Sequence, residues 1–268
     1  MRLEGKVALV TGAARGQGRS HAARLAAEGA DVIVTDICGE AAQVGYRTAV
    51  PDDLSETIRL VEDHGRKAVA RVVDVRDQAA LDAAVADGMS ELGRLDVVVA
   101  NAGITSWAPF WEISEEMWQA VVDIDLTGVW KTFKAATPML IEQGSGGSLI
   151  AISSVAGIKS LPGQAHYSAA RHGVVGLVKS AAIELGPHGI RVNSVHPWGV
   201  ATAMAENSHV PEMLEANPSF APSYSSILPD PVIARPEDIS DAVAWLASDE
   251  SRCVTGIQLP VDMGATTV

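Results

Sequence analysis

Short apolar runs alternate along the chain with longer segments whose apolar positions recur every third or fourth residue. Val7–Val10 precedes such a segment at 17–28, Asp31–Thr35 one at 52–64, and Ala68–Val73 one at 77–92. Leu95–Ala100, a stretch at 115–143, Ser148–Ser153, a stretch at 164–186 and Arg191–His196 continue the rhythm. A stretch at 236–247 and a run at Gly256–Val261 complete it. The alternation predicts β-α-β-α order. Strand interiors such as Val97-Val98-Val99 show no apolar/polar alternation, which predicts burial on both faces. The expected fold class is α/β, a doubly wound parallel sheet with helices on each side, as a single domain over residues 1–268.

Two segments break the rhythm. Residues 198–231 are rich in Pro, Ser, Asn and Met and carry Trp198, Phe220 and Tyr224. A connection this long inside a compact domain is functional or disordered, and its apolar side chains favour a flexible substrate lid over a solvated linker. The second break, Cys38 to Pro51, places a polar, Gly-containing segment where a few residues normally suffice. It reads as an insertion, with a plain surface loop as the alternative.

Composition narrows the functional classes. A hydrophobic fraction of 47% with 24 Gly and 13 Pro excludes disordered, collagen-like and coiled-coil chains. The 20 Lys+Arg against 33 Asp+Glu give a net charge of −13, which repels nucleic acid and anionic lipid. No stretch approaches the roughly 18 apolar residues of a membrane span. Only Cys38 and Cys253 are present, and the N-terminus has no signal-like apolar region, so a cytoplasmic location is expected. Seven scattered His without HExxH or CxxC spacing predict no metal site.

The chemistry begins after the first strand. Thr11-Gly12-Ala13-Ala14-Arg15-Gly16-Gln17-Gly18 links it to a helix. Glycines in such a turn let backbone approach a pyrophosphate, and the helix N-terminus favours its charge, although glycine also simply ends strands. Asp36, 18 residues beyond Gly18, ends the second strand, where a carboxylate would accept hydrogen bonds from an adenosine ribose and repel a 2′-phosphate. NAD is therefore expected over NADP, against the weaker pull of Arg15; a helix cap or turn acid is the alternative for Asp36. Asp74-Val75 and Asn101-Ala102-Gly103 also stand at strand ends, the side on which open α/β sheets bind ligands.

These motifs, with Ser153-Ser154, Tyr167-Ser168-Ala169-Ala170-Arg171 and His196-Pro197-Trp198-Gly199, resemble the short-chain dehydrogenase/reductase family over essentially the whole chain. The segment after Asp36-Ile37-Cys38 and the stretch Val192–Pro197 further resemble its carveol-dehydrogenase-like branch, associated with the redox peptide mycofactocin. The resemblance implies a Rossmann-like domain, a homotetramer, and hydride transfer between NAD and an alcohol or ketone. It makes Tyr167 the acid/base and Ser154, 13 positions earlier, the substrate anchor. It assigns Gly12, Arg15, Gly16, Gln17, Gly18, Asp36, Ile37, Asp74, Val75, Asn101, Ala102, Gly103, Tyr167, Arg171, Pro197, Val200 and Thr202 to the cofactor.

Two positions depart from the family pattern. Arg171 stands where the family has lysine, and Asp125, in Asp123-Ile124-Asp125-Leu126-Thr127-Gly128, where it has asparagine. Asparagine with lysine carries +1, whereas aspartate with arginine sums to zero and is expected to form a direct two-pronged ion pair. An NAD-binding module with little turnover is therefore the alternative to an enzyme; a lyase or isomerase using bound NAD is a weaker one. Ser154, His166 and Asp125 could be assembled into a hydrolase triad, but no GxSxG elbow surrounds the serine. Trp107, Trp111 and Trp198 fall by strand ends as candidate walls for a small apolar, cyclic alcohol or ketone, although Trp198 also suits a plain turn. Trp118, Trp130 and Trp245 suit packing or subunit contacts.

Overall fold

The computed structural model of the chain describes residues 1–41, 44–206 and 210–268. Among them, seven strands form one parallel sheet: β1 (Val7–Thr11), β2 (Asp31–Asp36), β3 (Ala68–Val72), β4 (Val97–Ala100), β5 (Gly147–Ile152), β6 (Ile190–Pro197) and β7 (Gln258–Val261). Their order is β3-β2-β1-β4-β5-β6-β7, so the chain winds one way from β1 to β3 and the other from β4 to β7. In register, Ala8 lies beside Val32 on one side and Val97 on the other. The reversal between β1 and β4 opens a crevice at the strands' carboxyl ends.

Helices α1 (Gly16–Ala27), α2 (Pro51–Glu62) and α9 (Pro236–Ala247) cover one face. Helices α3 (Gln78–Leu92), α5 (Gly128–Gln143) and α6 (Ala165–Leu185) cover the other. The period-2 geometry of a strand divides even a wholly apolar run between them. Val7 and Leu9 join Val98, Phe133 and Val174, while Ala8 and Val10 join Leu25, Val32 and Ile239. Burying a Leu or Ile contributes roughly 1.5–3 kcal/mol, against about 0–1 kcal/mol for an exposed ion pair such as Arg59–Glu56. The two apolar layers therefore dominate the fold's stability.

The stretch at 115–143, expected as one helix, is interrupted. Ser114 caps α4 (Glu115–Val122), a π turn follows at Asp123–Thr127, and α5 continues from Gly128. Helical dihedrals persist through the turn, so apolar periodicity gives little sign of it. Its consequence is large, because it holds Asp125 fully buried.

The expected lid at 198–231 also carries structure of its own: α7 (Ala203–Glu206), α8 (Val210–Ala216) and a 3₁₀ stretch at Pro218–Tyr224. Residues 207–209 of the lid lie outside the described residues. Its base is closed by a parallel bridge between Val200 and Ala234, and the amides of Ile227 and Leu228 both donate to the Met263 carbonyl at 3.0 Å. In the insertion at 38–51, residues 42–43 lie outside the described residues. Tyr46 from that insertion is buried.

Where α1 crosses α9, His21 is fully buried with Nδ1 2.8 Å from Ser240 Oγ, and its Nε2 has no hydrogen-bond partner. Burial pushes its pKa down to about 3. The unfolded chain takes up a proton near pH 6.5 while the folded chain resists until about 3, so stability falls as pH drops through this window. Once the pH has fallen to about 3 the cost reaches on the order of 5 kcal/mol by the linkage between pKa and stability. A His21→Leu variant is expected to show a flatter dependence of melting temperature on pH between 6.5 and 4 than the parent, read by thermal unfolding; parallel curves would remove His21 as the cause.

Candidate active site

The crevice between β1 and β4 holds a cleft of about 400 Å³. Gly12, Arg15, Gly16, Gln17, Gly18, Asp36 and Ile37 line it from the β1–α1 turn and the end of β2. Asp74, Val75, Asn101, Ala102, Gly103 and Thr202 line it from the ends of β3 and β4 and the segment after β6. Thirteen of the residues expected at a dinucleotide thus meet in one groove.

Its chemistry fits such a ligand. No side chain caps the start of α1 and its first turn carries no acid, which leaves amides there for an anion. Glycine is required for the turn's close approaches: a Cβ on Gly18 would lie 2.1 Å from the Gly12 carbonyl oxygen, and one on Gly12 2.8 Å from Ala102 Cα. Asn101 Nδ2 donates to the carbonyls of Thr11 and Gly12 at 2.9 and 3.1 Å, joining the two walls. The Asp36 carboxylate accepts from the Ala14 and Cys38 amides at 3.0 and 3.1 Å, which fixes an acceptor at the rim. Arg15 also reaches the insertion after β2. Its guanidinium lies 5.6 Å from the Tyr46 ring centre and donates to the Arg47 carbonyl.

Tyr167 and Arg171, one turn apart on α6, share a face, and the guanidinium carbon lies 4.9 Å from the phenol ring centre. Both are buried. Arg171 Nη1 donates to the Ile152 carbonyl at 2.9 Å, and Nη2 lies 3.0 Å from Asp125 Oδ2. The other carboxylate oxygen accepts from the Ile104 amide at 2.8 Å. The expected partnership of Arg171 with Asp125 is therefore present, but it is not two-pronged. Each group spends its second arm on backbone, and the remaining contact lacks hydrogen-bond alignment, so it is chiefly Coulombic.

Burial pushes the Asp125 carboxyl up to about 6, against the opposing pull of Arg171 and the Ile104 amide. Burial alone would lower the Arg171 pKa, but Asp125 and Tyr167 outweigh it and the net direction is up. The guanidinium keeps its charge, and its attraction opposes the burial that favours a neutral carboxyl. Removing one partner of such a pair costs roughly 3–5 kcal/mol, because the other charge stays buried.

Ser154 follows β5, and its hydroxyl accepts from the Ala156 amide at 3.1 Å. The Ser154 carbonyl lies 2.6 Å from His196 Nδ1, and a carbonyl can only accept, so Nδ1 carries the proton. Burial pushes the His196 pKa down to about 4, which keeps the ring neutral and the serine backbone pinned. Pro197 ends β6 beside it, and Val200 forms the lid's base. His166 Nε2 lies 2.8 Å from Ser106 Oγ, a pairing that gives it another partner than the one a hydrolase triad would require.

The three candidate tryptophans have different immediate neighbours. Trp198 packs on Tyr224, with ring centres 6.2 Å apart, beneath Lys159. Trp107 sits in the loop after β4, whose Ala108 amide donates to the Gly163 carbonyl. Trp111 is 76% exposed and borders a separate cavity of about 660 Å³ with Phe110, Phe220 and the Ala169–His172 side of α6. That side is turned away from Tyr167 by helical geometry. Trp118 and Trp130 are exposed, and Trp245 packs partly buried against the core.

Sequence reading missed Tyr46, whose hydroxyl accepts from the Thr105 amide at 3.2 Å, and Gln164, which donates to Thr105 Oγ1 at 2.7 Å. Together they tie the insertion to the loop after β4 and to the start of α6. A lone aromatic inside a polar insertion was the available signal.

A family model described as Enoyl-(Acyl carrier protein) reductase matches residues 12–266. The chain is 46% identical over 275 residues to the (-)-trans-carveol dehydrogenase of Rhodococcus erythropolis, covering 99% of each. It superposes on a short-chain dehydrogenase from Mycobacterium paratuberculosis bound to NAD with a TM-score of 0.97 and 52% identity, over the whole of both chains. It superposes on carveol dehydrogenase from Mycobacterium avium in complex with NAD with a TM-score of 0.94 and 48% identity, covering 100% of this chain and 99% of that one. With the parallel sheet, the glycine turn and the Tyr167–Arg171 face in place, the chain belongs to the short-chain dehydrogenase/reductase family.

Proposed function

We propose that the protein is an NAD-dependent oxidoreductase that interconverts a hydrophobic, cyclic secondary alcohol and its ketone, with Tyr167 as acid/base. One observation carries this reading. Gly103 lines the dinucleotide cleft, and a Cβ on it would lie 2.3 Å from Arg171 Nη2, so the cation beside the phenol stands directly behind the wall of that cleft. The kinship with carveol dehydrogenases supports a cyclic terpene-like alcohol as substrate.

Bound in this cleft, NAD would supply hydride transfer to and from the carbinol carbon. The glycine turn from Gly12 to Gly18 would hold the diphosphate on backbone amides, and Asp36 would accept from the adenosine ribose hydroxyls. Tyr167 takes the alcohol proton on its phenol oxygen during oxidation and gives it back during reduction. The Arg171 cation favours the phenolate electrostatically. Ser154, held by His196, orients the substrate oxygen. Pro197, Val200 and Thr202 would border the nicotinamide end, and the lid with Trp198 would cover the substrate. A homotetramer would cover the exposed Trp118 and Trp130, and an external redox peptide would take the electrons.

A second reading rests on the charge-neutral Asp125–Arg171 pair, which weakens the support available to a phenolate. In it the fold retains NAD without turnover. Purified protein with NAD, cyclic terpene alcohols and an artificial electron acceptor separates the two. Turnover is expected, and Tyr167→Phe is expected to lower it about 10²–10⁴-fold with NAD binding retained. NAD binding without turnover across the panel and across pH would favour the second reading. Asp36→Ala is expected to weaken NAD binding about 10-fold or more and to narrow the preference over NADP, measured by calorimetry. Unchanged affinity for both would remove Asp36 from the ribose site.

A further inference from the structure

We infer that Asp125 is a positioning residue for Arg171, and that the two work only as a pair, so that restoring asparagine or lysine singly damages a site that restoring both together repairs. The inference rests on the proposed role of Tyr167. Its structural basis is the way the guanidinium is held.

The fork spans two anchors at once, the Ile152 carbonyl through Nη1 and Asp125 Oδ2 through Nη2. A compact ammonium lacks that reach, because its three donors radiate from one atom. Nη2 also packs against Gly103, which blocks its movement in that direction. On the other side, Asp125 is shut off from bulk solvent within the π turn, and its Oδ1 is already committed to the Ile104 amide.

Asp125→Asn therefore leaves a buried guanidinium without its counter-charge beside the Tyr167 ring. Arg171→Lys leaves a buried carboxylate whose partner cannot hold both anchors. The double variant removes both conflicts and changes the net charge beside the phenol from 0 to +1. Other groups facing this pair do not compensate. Tyr46 from the insertion is kept neutral by burial, which raises its pKa, and His196 on β6 is neutral. Farther out, His172 and Asp262 face His196.

The test compares the parent, Asp125→Asn, Arg171→Lys and the double variant as full-length protein. Thermal unfolding is read first, then the pH–rate profile for oxidation of whichever cyclic alcohol the parent turns over. Each single change is expected to lower the melting temperature and to reduce kcat at least tenfold. The double variant is expected to recover most of both, with its profile moved to lower pH than the parent's. Additive losses, a double variant that fails to fold alongside a single one, or a profile that does not move would overturn the inference. If the parent shows no turnover, the functional reading fails separately, and the unfolding cycle alone decides the pairing: recovery in the double variant supports it, additivity overturns it.

Discussion

A parallel sheet buried on both faces leaves the polar chemistry of this chain at the ends of its strands, because any charged group inside either apolar layer would lose its water without compensation. The strand order places β1 beside β4 at the point where the winding reverses. The carboxyl ends of these strands diverge into opposite helical layers, and the cleft with Asp36, Asn101 and Gly103 opens there. The glycine turn, the uncapped start of α1 and the carboxylate at the end of β2 face one groove for this reason.

Beside the groove, one strongly buried ion pair is tolerated. Arg171 and Asp125 are taken out of water at a cost of several kcal/mol per charge, which their mutual attraction offsets only because backbone groups complete their coordination. The arrangement needs a wide turn in the helical segment before α5, a glycine against the guanidinium and a free carbonyl at the end of β5. A carboxylate held in this way does not merely neutralise charge. It determines where the cation next to Tyr167 stands.

The two long connections both reach the cleft, the insertion through Tyr46 and Arg47 and the lid through Ala201 and Thr202. The insertion after β2 sends Tyr46 inward to the Thr105 amide, and Arg15 lies over its ring. The lid closes its own base through Val200 and Ala234, and Tyr224 bonds the Pro162 carbonyl beside the loop that leads to Tyr167. Both pack apolar or aromatic side chains against the body, as the apolar content of 198–231 suggested and the polar character of 38–51 did not.

The amino-acid sequence alone determined the alternation of strands and helices, since strands apolar at every position have only a doubly covered parallel sheet to occupy. It also determined the glycine turn, Asp36, and the helical spacing that sets Tyr167 and Arg171 on one face, because these depend on residues close together in the chain. Only the tertiary structure decided that helix 115–143 is broken by a π turn at Asp125, that Arg171 divides its donors between Ile152 and Asp125, and that Trp111 borders a cavity with Phe110 and Phe220. It also decided that Tyr46 is buried. Each of these outcomes turns on which distant segments compete for the same few cubic ångströms and the same backbone donors, and that competition exists only once the sheet has brought the strand ends together.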